Sequence, residues 1–234
     1  MKKLMLMLGL SLSFLACNDD ENEGLQPRLE FNDQFHEGKQ GWVADFSDHP
    51  EEMLTDWELE EGIAPLPAPL DTTKKAFRIS GINHSDDLFM YFKKQATGLK
   101  PNQSYTASFA IEFATNAPSE GWMGVGGAPN SVYLGIGVVG TEPKSTVDEL
   151  GHLRLNISKI DQSSDGEDMK IIGDIGNGLE EFVYTQRKLE GEFTGKTDDK
   201  GNLWMIFGTD SGFEAKTTLY YTTVNIKLKE AVSN

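Results

Sequence analysis

Cysteine is almost absent from this 234-residue chain: Cys17 is the only one. A lone thiol forms no internal disulfide framework and leaves no cysteine set for zinc. Histidine is scarce as well. His36, His49, His84 and His152 are scattered without the H-x3-H or H-E-x-x-H spacings that place two imidazoles on one metal. No long apolar stripe of helical period appears, no repeat, and no interdomain linker after residue 28. There is no G-x-S-x-G elbow, no Lys-Ser/Thr behind a glycine loop, and no placed Ser–His–Asp set. No catalytic residue is assigned. Positive charge is also in short supply. Lys and Arg total 21 against 37 Asp and Glu, a net of −16. Such a chain has no footprint for nucleic acid, whose phosphates it would repel. It is also disfavoured from adsorbing directly to anionic lipid. Neutral ligands and cations such as calcium stay compatible with it.

What is present begins with an address. "MKKLMLMLGLSLSFLAC" has a basic start at Lys2 and Lys3 and an apolar run from Leu4 to Leu15. The run has the length of a secretory leader and is too short for a mature transmembrane helix. Phe14-Leu15-Ala16-Cys17 resembles a bacterial lipobox. The resemblance implies that residues 1–16 are a signal peptide and that Cys17 is lipidated. The acidic run "NDDENE" that follows resembles the export signal of Bacteroidota surface lipoproteins. That implies a lipid anchor in the outer membrane with the domain on the cell surface. Residues 17–28 also have the composition of a flexible acidic tether, and the two readings agree.

Residues 29–234 read as a single all-β domain, an antiparallel β-sandwich. In "SYTASFAIEFAT", Tyr105, Ala107, Phe109, Ile111 and Phe113 fall on one face and Thr106, Ser108, Ala110 and Glu112 on the other. At the C-terminus Tyr220, Thr222, Val224, Ile226 and Leu228 alternate with Tyr221, Thr223, Asn225, Lys227 and Lys229. Further apolar runs are separated by turn chemistry such as "TGLKPNQS", "GDIGNG" and "DDKGN", where Gly201 is expected at positive φ. "APLPAPL" reads as a rigid loop between strands. One short helix is expected from Asp48 to Thr55, with Asp48 or His49 as cap and Pro50 in the first turn. Trp42, Trp57 and Trp204 alternate with apolar neighbours and are expected in the core.

"FNDQF…GW…F" near the start and the long final strand ending "VNIKL" resemble the galactose-binding-like jelly roll of carbohydrate-binding modules. Gly98, Leu99, Pro101 and Tyr105 match the turn that enters a central strand of such domains. The resemblance covers roughly residues 29 to 229 and implies a scaffold, not a function. "NHSDDLFMYFKK", "GVGGAPNSVYL" and "GTDSGFEAKTTLYY" are similar to uncharacterised secreted bacterial proteins. Calcium-bearing members of the jelly-roll class use an acidic residue in the final strand, where this chain has Thr222 and Thr223. Glu30 and Asp33 remain as candidate calcium ligands from the other side. Asp165 and Asp168, in the oxygen-rich "DQSSDGEDM", form a second calcium candidate without the D-x-D-x-D-G-x5-E pattern.

Two stretches carry the binding candidates. "NHSDDLFMYF" reads first as a polar turn feeding a strand covered on both faces. Its second reading places His84, Asp86 and Asp87 on the rim of a ligand cleft. "GWMGVGGAPNSVY" sets Trp122 among glycines, where it either stacks on a sugar face or folds over the edge of the core. Asn130 ends the same loop and joins it as a hydrogen-bonding candidate. These residues point to a surface protein that recognises carbohydrate by aromatic stacking and polar contacts. A glycan-active hydrolase or lyase using carboxylates, and an adhesive envelope protein binding a protein partner, are the alternatives.

Overall fold

The computed structural model describes residues 29–52, 54–84, 88–124 and 127–231. The expected leader, Cys17 and the tether lie outside them, as do Asp86 and Asp87. β1 (Leu29–Gln34) passes through a 3-10 turn (Phe35–Glu37) to β2 (Val43–Ser47), β3 (His49–Pro50) and one helical turn, α1 (Leu54–Trp57). β4 (Glu60–Pro65), β5 (Lys75–Ile82), β6 (Phe89–Ala96), β7 (Ser104–Thr115) and β8 (Val132–Val139) follow. Next come the short β9 (Ser145–Val147), β10 (His152–Leu155) and β11 (Lys170–Asp174). The long β12 (Thr185–Lys196), β13 (Leu203–Ser211) and β14 (Lys216–Glu230) close the chain.

Two antiparallel sheets face each other. One has the order β12-β7-β14-β5-β4, with β1 also paired to β14; the other has the order β11-β8-β13-β6-β2. From β5 to β8, and again from β11 to β14, successive strands alternate between sheets, which is the wrapping of a jelly roll. Alternation supplies the core. Tyr105, Ala107, Phe109, Ile111 and Phe113 of β7 are all buried against Leu134, Ile136, Val138, Met205 and Phe207 from the opposite sheet. An aromatic hub sits at the centre, where the Phe92 ring stacks on Phe207 at 4.9 Å and meets Phe77 and Tyr221 edge-on. Trp42 and Trp57 are buried as expected. Trp204 is not in the core: it is half-buried on the outer face of the five-stranded sheet, with Lys93 Nζ 5.7 Å above its ring.

The "TGLKPNQS" turn owes its spacing to Tyr105, which is buried and whose hydroxyl accepts the Lys100 N–H at 3.2 Å. Gly201 has φ 78, and a side chain there would meet the Leu99 carbonyl at 2.0 Å.

Two further expectations need correction. The helix over Asp48 to Thr55 shrinks to Leu54–Trp57 because Asp48 is left-handed, φ 61. Its carboxylate does not cap; it binds Arg154 at 2.8 Å and Lys159 at 3.0 Å. His49 and Pro50 instead pair with Leu153 and His152. In β14 the even alternation breaks. The register shifts between Tyr221 and Thr223, so Leu219, Tyr221, Val224, Ile226 and Leu228 face the core and Thr222 and Thr223 both face outward. This β-bulge sits where β14 exchanges one neighbour, β5, for another, β1.

The sandwich is asymmetric. The outer face of the five-stranded sheet is covered by residues 141–169, whose β9 and β10 form a small sheet with β3. Ile160 and Met169 pack on Phe89, Tyr91 and Ile206 there, a second apolar cluster. This explains why Leu88 to Phe92 are apolar on both faces. Among the described residues, none forms such a cover over the outer face of the six-stranded sheet.

Candidate functional site

The uncovered face is built from the polar positions of the alternating strands. Register places Lys188, Glu112, Thr223 and Gln34 in one row across β12, β7, β14 and β1. The next row is Glu190, Ala110, Asn225 and Asn32, and the one after it Glu192, Ser108, Lys227 and Glu30. At one end of the face, Leu66 and Leu70 of the Pro-rich loop pack on Ala76, Ala114, Tyr184 and Tyr220. The loop thus forms a wall, and the bulge at Thr222 forms the floor beside it. Thr222 donates its hydroxyl to the Glu112 carbonyl at 3.1 Å, which holds the bulge against β7.

Between wall and floor lies a groove of 790 Å³, lined by Leu66, Thr73, Lys74 and Lys75 on one side and Gln34 and His36 on another. Glu112, Gln186, Lys188, Thr222 and Thr223 lie beneath. A second hollow of 410 Å³, at Ser108, Ala110, Glu190, Glu192, Asn225 and Lys227, lies further along the same three strands. The rows from Ser108 to Ala114 extend about 20 Å at strand rise. Tyr184 and Tyr220 meet edge-on at 5.5 Å at the walled end, and burial pushes the Tyr184 phenol up to about 12. The phenol therefore stays protonated and can both donate and accept a hydrogen bond. Hydroxyls, amides and carboxylates thus lie along an extended surface with aromatic rings at one end.

Residues singled out in the sequence fall elsewhere. His84, Trp122 and Asn130 lie at one end of the sandwich, on the loops after β5 and β7, each with partners of its own. Asn83 is buried, donates to the Ser211 carbonyl at 2.8 Å and accepts the Leu88 N–H at 3.3 Å, so it ties the turn that feeds β6. His84 is exposed; its Nε2 lies 2.9 Å from the Asp56 carbonyl and its ring 5.3 Å from Trp57. Trp122 is 37% exposed and meets Phe213 at 5.7 Å and Phe182 at 6.1 Å, both edge-on. Gly124 lies against the Trp122 ring; a side chain there would come within 2.2 Å of it. The glycines therefore let the indole fold back on its own loop. Asn130 donates to the Ser119 carbonyl at 3.2 Å. Met123, Leu179, Phe182 and Val183 leave the same end apolar and exposed.

The calcium candidates are otherwise engaged. Glu30 lies 3.4 Å from Lys227. Asp33 is buried and accepts from Trp42 Nε1 at 2.8 Å and Lys94 Nζ at 2.7 Å. Asp165 accepts the Ile171 N–H and Asp168 the Ser158 N–H. Among the described residues no group of three or more His, Cys, Asp or Glu comes together to hold a metal ion. Neither pair fits a calcium ion as arranged.

No family model matches the chain, and no curated protein does. Among solved structures it is similar to the CBM22-1 xylan-binding domain of Paenibacillus barcinonensis Xyn10C. That match has 14% identity, 86% of this chain and 95% of that one, and a TM-score of 0.40. It is also similar to the arabinose-bound α-L-arabinofuranosidase MgGH51, at 14% identity and TM-score 0.42 over 81% of this chain. This chain spans only 23% of that enzyme. A third is the K1 adhesin domain of Lys-gingipain from Porphyromonas gingivalis W83, with 9% identity, 87% of this chain and 99% of that one, and a TM-score of 0.36. Likeness at this level leaves the ligand open, and the β-sandwich class rests on the strands described above.

The groove residues were not legible as a set. Glu112 is readable as an outward residue of β7. Its meeting with Lys188 and Thr223 depends on strand order, and the Thr222–Thr223 pair depends on the bulge.

Proposed function

We propose that this protein is a saccharide-binding domain, tethered to the outer membrane through a lipid on Cys17 and exposed on the cell surface. A sugar chain lies along the uncovered face of the six-stranded sheet. One observation carries this: one sheet face is sealed by its own 141–169 segment, while the other keeps an open groove floored by hydroxyl, amide and carboxylate groups. Such groups exchange hydrogen bonds with sugar hydroxyls, and Tyr184 and Tyr220, half-buried in the cluster with Leu66 and Leu70 at the walled end, add aromatic surface beside the groove. Among the described residues, Glu112 is the single carboxylate lining the groove, and Glu190 and Glu192 line the second hollow of the same face. The exposed apolar loop end around Met123 and Phe182 favours a second reading, capture of a protein partner.

The test is titration of the full-length chain, purified in detergent, against a panel of soluble polysaccharides, with calcium and then with chelator. Saturable binding that weakens in Glu112→Ala and Thr223→Ala supports the groove. Absence of binding to every polymer, by a chain whose circular dichroism shows it folded, would sink the saccharide reading and move the protein partner forward.

A further inference from the structure

The groove differs in charge from the molecule that bears it. The chain has 37 acids against 21 bases, yet Glu112 is the one acid among the described residues lining the groove. Lys74, Lys75, Arg187, Lys188 and His36 are the basic ones. Most lysines elsewhere are spent on neighbouring carboxylates, as in Lys39–Glu61, Lys94–Asp33 and Lys216–Glu58. Lys74 and Lys75 make no ion pair among the described residues. The nearby Asp71 accepts the N–H and hydroxyl of Thr73 and feels the Lys74 charge without forming an ion pair with it. Lys188 pairs with Glu190 on the exposed strand, and one Arg187 guanidinium nitrogen donates to the Gly176 carbonyl. A strongly acidic protein that leaves adjacent lysines unpaired over an open groove has placed them where a negative charge would otherwise be repelled by the rest of its surface.

From this cluster we infer that the saccharide is anionic, with a ring carboxylate or a sulfate ester held by Lys74 and Lys75 at the wall of the groove. The inference rests on the saccharide reading above and narrows it. Glu112, on the floor, stands below the cations and is placed to accept hydrogen bonds from sugar hydroxyls. The lysines at the wall supply charge-assisted bonds, roughly twice as strong as neutral ones. Because they are exposed, their contribution falls as salt rises.

The experiment titrates the full-length chain with three probes of similar length: an oligogalacturonate, a sulfated galactan oligosaccharide and a neutral galactan oligosaccharide. Each titration is run at low and at high sodium chloride. At least one anionic probe is expected to bind about tenfold or more tightly than the neutral one, with affinity falling as salt rises. Whether the carboxylated or the sulfated probe leads identifies the source of the charge. Lys74→Gln/Lys75→Gln should bring the anionic probe to the neutral level, while Lys74→Arg/Lys75→Arg should keep the preference. Equal binding of all three probes, unmoved by salt or by the glutamine variants, overturns the anionic assignment and leaves the saccharide reading standing. Binding of none overturns both.

Discussion

At the scale of single residues, Asp210 gives the fold a pH-dependent contribution. It is 1% exposed at the end of β13 and receives Lys159, which also reaches Asp48. Burial, reinforced by the Asp48 charge and opposed by Lys159, pushes the Asp210 carboxyl up to about 7. Lys159, whose burial works against its own charge, is nonetheless held above the ordinary lysine range by Asp210 and Asp48. A carboxyl raised above its ordinary 3.8 contributes stability that is complete below that value and is lost as pH rises through about 7. The raised Lys159 loses its contribution only at higher, alkaline pH, outside this window. Urea unfolding of the wild type should therefore show a loss from this site between about pH 4 and 7, on the order of 4 kcal/mol at most. Asp210→Asn should lack that component. Parallel profiles for the two proteins would remove Asp210 from the account. Nothing in "FGTDSG" marks this aspartate in the sequence, because Lys159 is brought to it by the covering segment and Asp48 by the turn between β2 and β3.

At the scale of elements, alternation made most strands legible. β7 could be read residue by residue because its period of two runs unbroken from Tyr105 to Phe113. β14 could not. Its mixed Tyr-Thr run has no apolar contrast to betray the extra residue, and the bulge forms only because β14 passes from one neighbour to another. The bulge makes an unusual deletion tolerable. Removing Thr222 leaves Tyr221 inward, Thr223 outward and Val224 inward, which is a regular strand. Removing Asn225 instead turns the fully buried Ile226 and Leu228 to solvent, at about 1.5–3 kcal/mol each. The Thr222 deletion should melt cooperatively by circular dichroism yet bind saccharide more weakly, since the groove floor is straightened. The Asn225 deletion should lose cooperative melting. Equal damage from both deletions would mean that the bulge is not what sets the facing of β14.

At the scale of the whole molecule, composition could announce an acidic β-sandwich but not which face it offers. The cover over the five-stranded sheet joins residues far apart in the chain, such as Ile160 and Met169 with Phe89 and Tyr91. In the sequence this is visible only as apolar residues on both faces of β6. The open face is visible only by elimination, after the cover is placed. A blocking substitution tests that elimination directly. Ala110 is a small side chain at the centre of the outer face of β7, in the 410 Å³ hollow, aligned with Glu190 and Asn225. Ala110→Trp adds bulk toward solvent, away from the core, so its thermal midpoint should stay near that of the wild type. Its polysaccharide binding should nevertheless be lost, because a chain lying along the face cannot pass the indole. Val147→Trp, at an exposed position of the covering sheet, is the matched control and should bind as the wild type does. If Ala110→Trp also binds normally while Trp122→Ala does not, the sugar is held at the loop end. The asymmetry between the two faces would then be a matter of packing alone.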